Sequence, residues 1–216
     1  MTDRRRYTRP KTLQAIWTVL VAGVTVALVV VDVVPTVIAV GGAGVCWVAG
    51  LVAIGLSERR HWRAMVAASS FDPGPSGHTA DLQRIIRGQS VTVATDVDSL
   101  LAPEHIQVRA AVEGVDASFT VRIVDRELAD RTGVTTGVDD LDERFVFTGA
   151  EGNISVLLTE TVKDALLAVE TPGTFTVQAD RVVFEVPFTR LTAEELDAAG
   201  DAVAALAAQL ESATGK

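Results

Sequence analysis

The chain has 216 residues and a net charge of −9, yet 48% of it is hydrophobic and its mean hydropathy is +0.31. The two properties coexist because they occupy different stretches. From Thr12 to Leu56 the only charged side chain is Asp32, whereas residues 65–216 hold 25 of the 28 acidic and 11 of the 19 basic residues, a net −14. That acidity argues against nucleic acid as a partner of the C-terminal segment, and the single cysteine, Cys46, excludes an intramolecular disulfide and any Cys-based metal cluster.

Residues 1–11 form a basic N-terminal segment carrying Arg4, Arg5, Arg6, Arg9 and Lys11. Residues 12–56 read as a two-helix transmembrane hairpin: a span needs about 20 apolar residues, and the stretch accommodates helices at 12–31 and 36–56 around a turn marked by Asp32 and Pro35. With Arg59, Arg60 and Arg63 following, both flanks are basic and the connecting loop has no basic residue. The expectation is a multi-pass protein of the cell membrane with two spans, the lipid bilayer as a partner and both termini cytoplasmic. The run is too long for a signal-peptide core and leads directly into a second span. No ionisable group lies in mid-membrane, so the hairpin reads as an anchor rather than a transporter. Gly42, Cys46 and Gly50, with Gly23 and Ala27, provide small faces. These faces either pack the two helices on each other or make a homo-oligomer contact.

Residues 57–77 read as a juxtamembrane helix, with Trp62, Met65 and Val66 apolar, followed by a linker at 71–77. Residues 78–216 then read as a cytoplasmic α+β domain. Leu82–Ile86 and Ser90–Thr95 predict a hairpin turning at Arg87–Gly88. Ile106, Val108, Ala110 and Val112 alternate with polar residues including Arg109. Phe119, Val121 and Ile123 alternate with Thr120 and Arg122, which predicts two half-buried strands joined through Gly114. Arg144–Gly149 is a further strand. Ile154, Leu157, Leu158, Val162, Ala165, Leu166 and Val169 follow one helical period, ended by Pro172–Gly173. A hairpin of Thr174–Ala179 with Val182–Phe188 comes next. Thr192 and Glu195 then make a capping box, with Leu191 stapling onto Leu196, before a helix whose Leu196, Ala199, Val203, Leu206 and Leu210 face a core. The fold class expected is α+β: an N-terminal transmembrane hairpin, then an antiparallel sheet with two helices packed on one face.

The one dense cluster of ionisable groups is GVDDLDERFVFTG, 137–149, with Asp139, Asp140, Asp142 and Glu143. Counted from Asp140 it tracks a calcium loop, with Asp142 third and Glu151 twelfth. Arg144 and Phe145 occupy the fifth and sixth positions, where an oxygen ligand and a glycine are needed, so no metal site is assigned. His61, His78 and His105 share no ligand spacing. No phosphate-binding glycine loop precedes any of the three lysines, and the Ser76–Gly77–His78 fragment lacks a nucleophile elbow. No catalytic residue, cofactor or metal ligand is assigned, and the chain is read as a non-enzyme. The acidic cluster is expected to be a solvated turn in which Asp142 hydrogen-bonds local backbone, leading into a strand that places Phe145 and Phe147 on one face.

The segment 136–149, an acidic turn of the form FDxxFxVxG running into a strand, resembles prokaryotic membrane-anchored proteins of unknown function. In these a helix with paired leucines follows, as Leu157–Leu158 and Leu166–Leu167 do here, and then a hairpin and a terminal helix. Leu141 stands where an aromatic is more usual. The resemblance covers 105–210 and implies an α+β domain with a cytoplasmic or peripheral role, without any activity. With three lysines against sixteen arginines and abundant Asp, Glu, Ala, Val and Thr, the composition also resembles that of salt-adapted prokaryotes, whose acidic surfaces serve solubility. The expected function is a membrane-tethered interaction or scaffolding domain that binds a protein partner. A small-molecule or ion-sensing module is the alternative, and a hydrolase acting through the 139–143 carboxylates is a third.

Overall fold

The computed structural model of the chain describes residues 10–30, 36–73, 81–95, 105–113, 119–129, 132–187 and 191–214. They divide into two units, the described residues up to Ala64 and those from Met65 onward.

In the first unit, α1 (Pro10–Val30) and α2 (Thr36–Ala68, which runs on into the second unit) form where the apolar runs predict helix. They pack on one another: the Trp47 indole N–H donates to Thr18 Oγ1 at 3.0 Å, and a side chain at Gly50 would run into the Trp17 indole. Of the small residues singled out above, Gly50 is the one that meets the partner helix, since Gly23 and Gly42 have open space beyond them and Cys46 is exposed. Ile16, Val19, Leu20 and Val24 on α1 and Val45, Val48 and Val52 on α2 are exposed.

The expected transmembrane hairpin does not stand. Among the described residues, no helix is long and apolar enough to cross a membrane. The two spans over 12–56 are corrected accordingly. So are the location in the cell membrane and the orientation with both termini cytoplasmic, which rested on them. Asp32, Pro35 and the basic residues Arg4, Arg5, Arg6 and Arg9 lie outside the described residues.

The second unit is built on an eight-stranded antiparallel sheet in the order β1-β2-β3-β4-β8-β7-β5-β6. Its strands are β1 (Asp72–Pro73), β2 (Asp81–Ile86), β3 (Gln89–Thr95), β4 (His105–Ala111), β5 (Thr120–Asp125), β6 (Phe145–Gly149), β7 (Thr174–Gln178) and β8 (Arg181–Pro187). The β2–β3 hairpin turns where expected. Arg87 and Gly88 both have positive φ, 53° and 82°, the pair of left-handed conformations that a two-residue turn matching strand twist demands. The predicted β7–β8 hairpin also forms. The hairpin expected between β4 and β5 does not. β4 pairs with β3 and β8, while β5 pairs with β6 and β7. Alternation fixes which side of a strand is wet and leaves its neighbour undetermined.

Register aligns the apolar positions into one continuous face. Val93, Val108, Phe184, Phe175, Ile123 and Phe147 are successive cross-strand partners from β3 to β6, and all are at most 1% exposed. Phe175 and Phe184 stack with centroids 4.2 Å apart. On this face α6 (Ala193–Thr214) lies over β2, β3, β4 and β8, and α4 (Glu151–Leu157) meets β5 and β6. The capping box closes as predicted: Thr192 N–H donates to Glu195 Oε2 at 2.7 Å and Glu195 N–H to Thr192 Oγ1 at 3.2 Å. Leu191 and Leu196 are both buried.

The single helix predicted over 154–169 is two. An inverse γ-turn at Leu158 (φ −84°, ψ 63°), closed by Thr159 N–H to Leu157 O at 2.9 Å, ends α4. Thr159 is extended (φ −77°, ψ 161°) and starts α5 (Glu160–Ala168). The break lets α4 turn its Ile154 and Leu157 toward the sheet while α5 packs on α6. The expected linker begins inside the fold. Phe71 is buried and lies over Gly200, and Ser70 N–H and Oγ–H donate to the two carboxylate oxygens of Asp197 at 3.1 and 2.8 Å.

Leu206, fully buried on α6, should cost about 2–5 kcal/mol of unfolding free energy when changed to Ala. Thr192→Ala, which opens the capping box, should cost about 1 kcal/mol. Urea unfolding of both variants checks the order; a cap loss equal to the core loss would mean that α6 is not held by packing.

Candidate functional site

The acidic cluster is a short helix, α3 (Asp139–Arg144), rather than a plain turn. Leu141 is its one buried residue, with Asp139, Asp140 and Glu143 exposed. Asp142 makes the backbone contacts that the sequence suggested. Its Oδ1 accepts from Thr136 N–H at 2.9 Å and from the Thr136 hydroxyl at 2.9 Å, and its Oδ2 accepts from Gly137 N–H at 3.0 Å. Burial alone would raise the pKa of this carboxyl. The hydrogen bonds from the Thr136 backbone and hydroxyl and from Gly137, with the nearby charge of Arg126, outweigh it and hold the group below the ordinary aspartate range. Phe145 and Phe147 share the face expected of them, edge to face at 6.4 Å. The carboxylates do not converge: among the described residues no three His, Cys, Asp or Glu side chains are placed to hold one metal ion. His61 sits on α2 and His105 on β4, and Ser76–Gly77–His78 falls outside the described residues.

Beside α3 lies a hollow of about 530 Å³, lined by Arg126, Ala129, Thr132, Gly133, Val134, Thr135, Asp142, Phe145 and Val146. Its walls are tied together. Arg126 N–H donates to Arg144 O at 2.8 Å, and Val134 N–H donates to Phe147 O at 2.8 Å. The Arg126 guanidinium donates to the Asp142 carbonyl. Arg144 lies over the Phe145 ring, 5.2 Å from its centroid, and donates to Leu167 O at 2.7 Å, near the C-terminal end of α5, where the helix dipole favours a cation. Gly133 permits the close approach of its segment to β6, because a side chain there would strike Val146 and the Phe147 carbonyl. None of Arg126, Thr132 and Thr135 stood out in the sequence. The legible signal was only that 126–138 lacks strand or helix period between two strands.

A second feature is the other face of the sheet. Among the described residues no helix covers it. Gln83, Thr92, Arg109, Val183, Thr176, Arg122 and Thr148 form one cross-strand row from β2 to β6. Arg109 and Arg122 are exposed, three strand spacings apart, which is about 14 Å. Arg181, also exposed, sits in a neighbouring row beside Gln178, whose side chain accepts from it at 3.0 Å. Sequence alternation placed Arg109 and Arg122 outward; only the register brings them into one row.

No protein-family model and no curated protein sequence matches the chain. Among solved structures, the mycobacterial trehalose monomycolate transport factor A superposes over 71% of this chain and 92% of that one, at 12% identity and a TM-score of 0.43. A likeness that slight carries no inference for this chain.

The lowered pKa of Asp142 has a direct consequence. Its charged form favours the native state above the ordinary aspartate pKa of about 3.9, and that contribution is lost as the pH falls through the lower native value. Asp142→Asn should therefore melt at a lower temperature than the parent at pH 7, with the gap closing as the pH is taken below about 3.9. Thermal melts across this range check it; a gap that stays constant with pH would remove the carboxylate from the account.

Proposed function

We propose that residues 65–216 form a non-catalytic interaction domain that holds a protein partner against the open face of its sheet, the partner presenting an acidic segment. The observation that supports this reading is the distribution of positive charge. These residues carry a net −14, yet Arg109, Arg122 and Arg181 stand exposed on the sheet face that no described helix covers. Four basic side chains are bound off this face, Arg84 to Asp197, Arg126 to the Asp142 carbonyl, Arg144 to the Leu167 carbonyl and Lys163 to Glu160, while on it Arg109 donates to Gln107 at 3.0 Å and Arg181 lies 3.8 Å from Asp180. Arg122 makes no hydrogen bond or ion pair with a described residue. The row through Arg109 and Arg122 holds Thr92, Thr148, Thr176 and Val183, with Gln107 and Glu185 in the next row, a mixture that suits a protein surface with a few acidic groups. A polyanion would meet the repulsion of the whole acidic segment, so nucleic acid is not the partner in this reading.

Crosslinking of the full chain in native extract should yield one reproducible partner. Arg109→Glu combined with Arg122→Glu should reduce its recovery by about tenfold or more, equivalent to roughly 1.4 kcal/mol. Arg87→Glu, in the β2–β3 turn, should leave recovery unchanged. Recovery of the chain's own copies alone, or equal recovery with both variants, would count against the reading.

A further inference from the structure

We infer that the apolar groove between α1 and α2 is a self-association face, on which a second copy of this chain seats its own α1–α2 pair to complete a four-helix bundle. This inference is independent of the sheet-face reading, since it uses residues of the first unit alone.

The groove has a volume of about 390 Å³ and runs between Ala22, Thr25 and Val26 of α1 and Ala43, Gly44 and Trp47 of α2. No charged residue lines it. Its polar groups are engaged within the pair itself: the Thr25 hydroxyl donates to Val21 O at 2.7 Å, and the Trp47 indole N–H donates to Thr18 Oγ1. A charged or hydrogen-bonding ligand therefore finds no counterpart, and recognition rests on apolar area and shape. Val26 and Trp47 line the groove yet remain 61% and 40% exposed, so large apolar side chains stand uncovered at its rims.

A second copy is the occupant that fits this surface. Trp17 meets Gly50, Thr18 meets Trp47, and Val26 stands across the groove from Gly44, so α1 and α2 run antiparallel. A two-fold axis along the groove lays each α1 on the other copy's α2, again antiparallel, which is the packing of an up-and-down four-helix bundle. In that arrangement Val26 of each copy faces the space over Gly44 of the other, where an added side-chain carbon would meet nothing within 4 Å. The size is adequate. With 21 residues in α1 at ~1.5 Å each and two helices of ~10 Å diameter side by side, the face covers about 600 Å². A standard stable interface buries roughly 800 Å² per partner, a similar extent. Charge points the same way: two uncharged grooves meet without repulsion, whereas no basic residue lines the groove to hold a lipid headgroup.

The test is sedimentation equilibrium of the full chain in detergent-free buffer, beside flotation with phosphatidylcholine vesicles. The chain should sediment as a reversible dimer and should not float. Val26→Asp, which sets a charge on the rim, should raise the dimer Kd by about tenfold or more. Ala22→Phe should weaken the dimer as well, because it fills the groove, although it adds apolar surface. Val45→Asp, outside the groove, should leave the dimer unchanged, with the circular-dichroism spectra of all three variants matching the parent. A monomer at every concentration, equal weakening by Val45→Asp and Val26→Asp, tighter association of Ala22→Phe, or flotation with the vesicles would overturn the inference.

Discussion

The burial of α6 between the sheet and the α4–α5 pair holds the second unit together. From Ala202 to Ala207 every residue of this helix is buried, so it has no wet side there. One side meets β2, β3, β4 and β8, and others meet α4 and α5. Its alanines are what permit this, since a larger side chain on the outer surface would hold α4 and α5 away. Gln209 extends the same contact by donating to the Val156 carbonyl at 2.8 Å. Gln89 reaches Glu211 from the β2–β3 hairpin at 2.7 Å. The apolar face of the sheet is covered by this arrangement, and among the described residues no helix lies on the opposite face.

How much of this was legible varied with the range of the interaction. Local signals read well: Thr192 and Glu195 closed their capping box, Arg87–Gly88 made its turn, and Asp142 bonded the backbone of its own loop. Periodicity read well too, since Leu196, Ala199, Val203, Leu206 and Leu210 are all buried. It understated α6, because the intervening alanines carry no strong hydropathy signal and their burial depends on α4 and α5. What failed was non-local. Nothing in β4 or β5 says that the β7–β8 hairpin inserts between them, and nothing in 154–169 marks the inverse γ-turn at Leu158. The apolar run of 12–56 predicted helices in the right places, but among the described residues no helix is long and apolar enough to cross a membrane.

The same distinction applies to the candidate sites. The acidic cluster drew notice because its residues are adjacent in sequence, yet three of its four carboxylates are simply exposed, and the fourth organises a loop. The arginines of the sheet face are far apart in sequence and become a group only through register. The hollow depends on a close approach of Gly133 to β6 that no local pattern announces. In this chain the charge cluster conspicuous in sequence organises a loop, and the arginine row was assembled by strand register.

The sheet has one face covered by helices and one that no described helix covers, which we propose receives the partner. Arginine footprinting with phenylglyoxal tests it most directly, on the purified chain and again in the crosslinkable state of native extract. Arg109 and Arg122 should be modified readily in the purified chain and protected in extract, with Arg87 equally reactive in both. Protection of Arg109 and Arg122 in the purified chain, or equal modification in both conditions, would contradict it.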